Sequence, residues 1–245
     1  MARDGTGPVE ALMTHTSAEE YAPAVGSEEA TRTLFDDFLA NKALPAADGW
    51  QHSEPAPGLR TLGAATPDGR GMYLQAFEPV LPGVLLQAPH RFYDRQTGTI
   101  VARLIDDGCY PAAAAFNTAQ RYTADHSDLT HRTDSAFNTF TCAFLDVHPD
   151  GLVVQLHGFT PEYRSTASGR SSAIIVADGT RCPGKHTQGA VDCLRQAWPK
   201  SLIRLYPSDV RELGATEKCH RSGCACGRWS LPPPGTQPHF ARRPG

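Results

Sequence analysis

The chain has 245 residues, of which 40% are hydrophobic and 20% are charged, with 22 glycines and 20 prolines. This length and composition suit one soluble globular domain with extensions, and they exclude collagen-like and wholly disordered chains. The formal charge of −3 provides no basic field, so we expect no nucleic-acid partner and no membrane partner. No window approaches the ~18 apolar residues of a membrane span and no signal peptide is apparent, so the compartment stays open and is cytoplasmic only by default.

The N-terminal part, residues 1–70, is predicted to be an extension with one amphipathic helix. Residues 1–26 lack periodicity and are expected to form a loose lead. A helix over 28–42 is predicted because Ser27 precedes an acidic pair and the apolar residues recur at helical spacing. Residues 43–71 are rich in proline and glycine, which favours a loop or a short hairpin.

Strands and helices alternate from about residue 72 onward. The predicted strands are 72–77, 83–88, 110–116, 152–156, 173–176 and 202–206. Three helices are predicted. The first has Ile100, Val101, Leu104 and Ile105 on one apolar face, the second runs from Asp128 through Phe144, and the third spans 187–198. This alternation predicts an α/β domain over 71–216, a three-layer sandwich with a mixed, mostly parallel central sheet.

The segment 217–245 changes character, with three consecutive prolines and few aliphatic residues, and is expected to be irregular or disordered. It holds Cys219, Cys224 and Cys226 together with His220. These residues are either an accidental cluster or a second metal site, but the Cys-x-Cys spacing is weaker than a zinc-ribbon pattern. The seven cysteines of the chain form no disulfide-scaffold pattern, which favours a reducing compartment.

Three strands of the alternating region end in polar residues. His90 follows one strand, Asn117 and Arg121 follow the next, and His157 ends the third. In open α/β sheets ligands bind outside the carboxyl ends of the strands, so these side chains are expected to converge, with Asp94 joining them from the turn after His90. Two histidines and one carboxylate are the ligand set of a hydrolytic zinc site that keeps a position open for water. Alternatively, each histidine is a hydrogen-bonding residue at the end of its strand.

Two segments resemble a known superfamily. PHRFYDRQTG, residues 89–98, resembles the His-x-x-x-acid motif of carboxypeptidase-like zinc hydrolases such as poly-gamma-glutamate hydrolases, N-formylglutamate amidohydrolases and muramoyl-alanine amidases. VVQLHG, residues 153–158, is similar to their strand that carries the last ligand. The resemblance covers about 83–216 and implies a phosphorylase/hydrolase-like fold and a Zn2+-dependent amide hydrolase with His90, Asp94 and His157 as ligands. The implied substrate is a small molecule, a peptide or a glutamyl-type compound.

The sequence departs from that superfamily in two respects. The acidic ligand is Asp94, where relatives usually have Glu, and no apolar strand with a late Glu follows residue 216. Glu212 and Glu217 are the late candidates for a general base, and Glu212 lies in the segment that resembles the superfamily. The alternative function is therefore a catalytically impaired relative that binds a metal or ligand without turnover.

Two further residues are candidates for catalytic roles. Arg121 could bind a substrate carboxylate through its guanidinium fork, or could be a surface ion-pair partner. Asp128 and His131 are three residues apart and share a helix face. His131 could orient a ligand or carry a proton, or the pair could be a helix cap and a solvated histidine.

Other enzyme classes lack their motifs. A serine hydrolase with a Leu-His-Gly turn at His157 needs a later Gly-x-Ser-x-Gly elbow, and none follows. Neither the dinucleotide-binding glycine motif nor a complete P-loop motif occurs.

Overall fold

The computed structural model describes residues 6–14, 28–44, 49–64, 69–94, 96–117, 129, 134–215 and 226–231. Its helices are α1 (Pro8–Thr14), α2 (Glu28–Leu39), α3 (Thr97–Asp106), α4 (Ala136–Val147), α5 (Ala167–Ser171) and α6 (Lys185–Ala197). Its strands are β1 (Trp50–Ala56), β2 (Leu59–Ala64), β3 (Met72–Ala76), β4 (Leu81–Ala88), β5 (Pro111–Phe116), β6 (Leu152–Gly158), β7 (Ile174–Ala177), β8 (Ile203–Leu205) and β9 (Cys226–Leu231).

The strands form one mixed sheet in the order β1-β2-β3-β5-β4-β6-β9-β7-β8. The central strands β5, β4, β6 and β9 run parallel to one another. On one side β3, β2 and β1 continue the sheet in antiparallel pairings. On the other side β7 is antiparallel to β9 and parallel to β8. The predicted α/β class with a mixed sheet is confirmed, and its parallel strands lie at the centre.

Helices cover both faces of the central strands. On one face α2 and α4 enclose a cluster that includes Tyr73 and Phe140, whose ring centroids are 4.6 Å apart. On the other face Ile105 of α3 packs with Leu74 and Leu86. Tyr73 and Leu74 are consecutive in β3 yet belong to opposite clusters, because neighbouring strand residues point to opposite faces. The arrangement is the predicted three-layer sandwich.

Helix α4 begins later than the sequence analysis predicts. Ser135 is its N-cap, and the Ser135 hydroxyl accepts a hydrogen bond from the Asn138 N–H at 3.2 Å. The predicted cap, Asp128, lies outside the described residues. Since α4 connects the parallel strands β5 and β6, its N-terminus lies at the carboxyl edge of the sheet.

Four elements, α1, β1, β2 and β9, extend the fold beyond the predicted domain of residues 71–216. α1 forms within the expected loose lead, where Val9 is fully buried. The β1–β2 hairpin is the short hairpin expected within 43–71, and it extends the sheet into residues 1–70, so residue 70 is not a boundary of the sheet. β9 forms within the expected irregular tail and lies between β6 and β7. A strand with so few aliphatic residues gives a weak signal in sequence, and its sheet neighbours define it.

None of the helices in the described ranges is both long and apolar enough to cross a membrane.

Candidate metal centre

His90 and His157 lie at the carboxyl edge of two neighbouring parallel strands. β4 and β6 pair with Gln87 opposite Gln155, which sets the register of this edge. His157 is the penultimate residue of β6, and His90 follows the end of β4. Their rings pack with centroids 5.4 Å apart and planes at 39°. The structure thus brings together two side chains that are far apart in sequence.

Asp94 joins the two histidines through a tight turn. The His90 carbonyl accepts hydrogen bonds from the N–H groups of Tyr93 at 3.0 Å and Asp94 at 2.7 Å. The Asp94 carbonyl in turn accepts from the Thr97 hydroxyl at 2.8 Å, which ties the turn to α3. The Asp94 carboxylate thereby faces β6, with Oδ2 at 3.0 Å from His157 Nδ1.

Gly158 makes this approach possible. A Cβ atom added at Gly158 would lie 3.2 Å from the Asp94 Cα and 3.4 Å from its Cβ. Because one of these atoms is backbone, it has no side-chain rotation with which to relieve the crowding. The glycine directly after His157 therefore lets the Asp94 turn pack against β6.

The three side chains are withdrawn from solvent. The exposed fractions are 0% for His90, 5% for Asp94 and 2% for His157. A carboxylate is costly to bury unless it is paired with a cation or receives hydrogen bonds. The contact of the Asp94 carboxylate with His157 at 3.0 Å compensates part of that cost.

A chain of buried polar side chains leads away from His157 and was not found by the sequence analysis. His157 Nε2 lies 2.7 Å from Gln155 Oε1, and Gln155 Nε2 donates to Gln87 Oε1 at 2.8 Å. Gln87 Nε2 then donates to the Thr141 hydroxyl of α4 at 2.8 Å. The available signal was Gln155 itself, a polar residue in an otherwise apolar strand and on the same face as His157.

The donor types and pairwise spacings suit a zinc ion, although the full ligand set is not drawn together. No group of three or more His, Cys, Asp or Glu side chains within the described ranges is arranged to hold a metal. Two ligand atoms on a tetrahedral zinc ion lie about 3.3 Å apart, given bonds of about 2.0–2.1 Å. The 3.0 Å between His157 Nδ1 and Asp94 Oδ2 is within a few tenths of an ångström of that value. Two imidazoles on one such ion have ring centroids about 5 Å apart, and those of His90 and His157 are 5.4 Å apart.

Glu212 is held in a separate cluster of hydrogen bonds. Its carboxylate accepts from the N–H groups of Ser165 at 3.0 Å and Thr166 at 2.8 Å, and from the Thr166 hydroxyl. Burial raises the pKa of this carboxyl, but the hydrogen bonds from Thr166 and Ser165 outweigh it and lower the pKa to about 2. Glu212 is therefore ionised at neutral pH and is a weak base, and these contacts join it to the segment before α5.

The other predicted site residues, Arg121 and His131, lie outside the described residues. Asn117 has a structural role at the edge, since its side-chain Nδ2 donates to the Gly69 carbonyl at 2.8 Å. Arg70 is a buried cation at this edge that the sequence analysis did not single out. Its guanidinium lies over the Trp50 ring, 5.1 Å from the centroid.

Comparisons with known proteins give distant structural matches. No family model and no curated protein matches the chain. One similar structure is a gene product of Agrobacterium tumefaciens, at 14% identity, covering 61% of this chain and 80% of that one with a TM-score of 0.35. Another is an aspartoacylase family protein from Mesorhizobium loti, at 15% identity, covering 76% and 66% with a TM-score of 0.42. A third is an N-formylglutamate amidohydrolase from Ralstonia eutropha, at 10% identity, covering 63% and 82% with a TM-score of 0.36.

Proposed function

We propose that this protein is a zinc-dependent hydrolase that cleaves an amide bond next to a carboxylate, with His90, Asp94 and His157 as the metal ligands. The observation that supports the proposal most directly is that buried His157 contacts Asp94 through its Nδ1 and packs against the ring of His90 at the carboxyl edge of β4 and β6. The resemblance of residues 89–98 and 153–158 to carboxypeptidase-like hydrolases supports the same set. When bound, zinc polarises a carbonyl oxygen and acidifies water.

The side chains of the proposed centre differ in their contributions. Asp94 would supply negative charge that balances a divalent cation held by buried side chains. His157 is held from both sides, by Asp94 at Nδ1 and by Gln155 at Nε2. His90 brings the second imidazole from the neighbouring strand. The burial of these three side chains would strengthen their electrostatic interaction with a bound cation.

The proposed substrate carries a carboxylate near the scissile amide, as in glutamyl compounds, acylated amino acids or peptide C-termini. We assign its recognition to Arg121, because a guanidinium binds a carboxylate through two parallel hydrogen bonds. His131 is proposed as a proton carrier or as a residue that orients a ligand. Both assignments extend the sequence prediction to residues outside the described ranges.

A second candidate function is metal or ligand binding without turnover. The observation that favours it is the state of Glu212, whose carboxylate is committed to Ser165 and Thr166 and has a pKa of about 2. A general base works best with a pKa near the working pH, so Glu212 is poorly tuned for that role. Turnover of an amide substrate therefore distinguishes the two candidate functions. If Glu212 is the general base, Glu212→Gln abolishes turnover while zinc stays bound, and unchanged turnover would exclude Glu212 from that role.

The proposed function is tested by the metal content of the purified protein. We expect about one zinc per chain, the stoichiometry of a single site with three protein ligands. His90→Ala and His157→Ala are each expected to lose the metal while retaining the circular dichroism spectrum of the folded protein. His186→Ala is the matched control, because His186 is an exposed histidine in the first turn of α6.

Folded wild-type protein that takes up no zinc after dialysis against a zinc buffer would contradict the proposal. Equal zinc content in the two variants and in the His186→Ala control would also contradict it, because the metal would then be bound elsewhere.

A further inference from the structure

Three buried side chains connect the proposed centre to the backbone of α4. The chain of hydrogen bonds runs from His157 through Gln155 of β6 and Gln87 of β4 to Thr141 of α4. It ends where the Thr141 hydroxyl donates to the Phe137 carbonyl at 2.9 Å. The exposed fractions are 4% for Gln155, 1% for Gln87 and 5% for Thr141, so water cannot readily replace a lost partner.

The last link gives the chain a direction. A backbone carbonyl can only accept, and a hydroxyl has a single proton. Because the Thr141 proton is committed to the Phe137 carbonyl, the Thr141 oxygen accepts from the Gln87 amide. The Gln87 carbonyl oxygen then accepts from the Gln155 amide, and the Gln155 carbonyl oxygen accepts from His157 Nε2. Nε2 is therefore the protonated nitrogen of His157.

This direction determines what His157 presents to Asp94. A neutral imidazole with its proton on Nε2 has a lone pair on Nδ1. That lone pair faces Asp94 Oδ2 at 3.0 Å, and an ionised carboxylate also only accepts. Two acceptors at this distance need a cation between them, which is either a proton or a metal ion.

We propose that Gln155, Gln87 and Thr141 are positioning residues that keep a proton on Nε2 of His157, so that Nδ1 is the nitrogen left to face Asp94 and to hold a bound cation. The identity of that cation as zinc would rest on the proposed function, whereas the proton on Nε2 does not. The chain also accounts for two amides buried within the sheet. Each would be costly to bury alone, but here both are linked into one path.

The experiment compares two substitutions at Thr141, which does not touch His157. Thr141→Val removes the hydroxyl and leaves Gln87 free to turn, so the direction of the chain is no longer fixed. Thr141→Ser keeps the hydroxyl and with it the direction. Gln75→Leu is the control for loss of a buried amide, because Gln75 lies in β3 and bonds the Leu39 carbonyl of α2 instead.

The first readout is the protonation of His157 Nε2 in metal-free protein, from ¹⁵N-detected correlations of the imidazole. We expect Nε2 to carry a proton in the wild type, Thr141→Ser and Gln75→Leu, whether or not Nδ1 also carries one, and to lose it in part of the Thr141→Val molecules. The second readout is the Zn2+ dissociation constant, measured by competition with a chromophoric chelator. We expect Thr141→Val and Gln155→Leu to weaken zinc binding about 10- to 100-fold, the usual effect of losing a partner of a ligating histidine.

A wild-type His157 whose only ring proton is on Nδ1 would overturn the proposal, and so would identical Nε2 protonation in Thr141→Val and Thr141→Ser. If the wild type binds no zinc, the proposed function fails, and the Nε2 readout still decides whether the chain orients His157. If zinc binds equally to Thr141→Val and Thr141→Ser, the positioning role is refuted while the zinc site remains.

Discussion

Glu212 couples the stability of this protein to pH. Although burial raises the pKa of its carboxyl, the hydrogen bonds from Thr166 and Ser165 lower it from 4.5 to about 2. A carboxyl with a lowered folded-state pKa stabilises the fold above its unfolded pKa, and this stabilisation is lost as the pH falls toward the folded value. We expect Glu212→Gln to reduce the free energy of unfolding by about 1 kcal/mol at neutral pH, because charge-assisted hydrogen bonds are lost.

Urea unfolding at several pH values measures this effect. The difference between wild type and Glu212→Gln should shrink as the pH is lowered from 4.5 toward about 2. Glu162→Gln is the control, since Glu162 is exposed. A difference in the free energy of unfolding that is constant across this pH range would show that these hydrogen bonds do not lower the pKa of Glu212.

Gly158 links the packing of the Asp94 turn to the proposed metal centre. A Cβ at this position would lie 3.2 Å from the Asp94 Cα. We expect Gly158→Ala to destabilise the fold by about 1–3 kcal/mol, the usual cost of overpacking, and to weaken zinc binding because Asp94 is displaced from His157. Thermal unfolding and chelator competition measure the two effects.

The matched control is Gly189→Ala in α6, where an added Cβ has nothing within 4 Å. Removing a glycine from a helix interior is expected to stabilise the fold by about 0.5–1 kcal/mol. If Gly158→Ala behaved like Gly189→Ala, the close approach of β6 and the Asp94 turn would not be required.

The sequence predicts the position of the proposed site better than its supporting contacts. His90 and His157 could be identified because each ends a recognisable apolar strand, and parallel strands place their carboxyl ends together. Gln87, Gln155 and Thr141 could not be connected in the same way. Their contact depends on the register of β4 with β6 and on the rotation of α4, neither of which periodicity determines.

At the scale of elements, α1 depends on one carboxylate of α3. Asp106 accepts hydrogen bonds from the N–H groups of Val9 at 3.0 Å and Glu10 at 2.9 Å, which are otherwise unsatisfied donors in the first turn of α1. Arg103 of α3 also forms an ion pair with Glu10 at 3.0 Å. A helix of 7 residues is marginal alone, so these contacts and the burial of Val9 hold it in place.

We expect Asp106→Ala to release α1, with a loss of about 1–2 kcal/mol and faster proteolysis in residues 6–14. Asp107→Ala is the control, since Asp107 is exposed and makes no hydrogen bond to α1 among the described contacts. Limited proteolysis followed by mass spectrometry identifies the cleavage sites. Equal cleavage of the two variants would contradict the anchoring role of Asp106.

The same dependence on context explains which elements the sequence predicts. α2, α3 and α6 have apolar residues at helical spacing, and β4 to β8 have apolar runs, so their existence is readable and their bounds shift by only a few residues. α4 starts at Ala136 rather than near Asp128, since Ser135 provides the cap. The position of α1 is set by its contacts with α3 rather than by its own composition. In the same way, β9 is defined by its pairing with β6 on one side and β7 on the other.

At the scale of the whole molecule, β9 connects the proposed centre to the outer part of the sheet. It pairs in parallel with β6, including His157 opposite Ser230, and antiparallel with β7. The outer strands β7 and β8 therefore join the central sheet through β9. The strand that carries His157 is consequently an interior strand, and both of its edges are paired.

Truncation tests whether the C-terminal segment is a structural part of the sheet. A chain ending at Thr216 loses β9, which leaves the edges of β6 and β7 unpaired and the outer strands detached. We expect this chain to aggregate or to unfold at a lower temperature and to lose zinc binding, because β6 positions His157. A chain ending at Leu231 keeps β9 and is the control, with wild-type unfolding temperature and zinc affinity expected. If the chain ending at Thr216 matched that control in both measurements, β9 would be dispensable, and the sheet would be complete without the C-terminal segment.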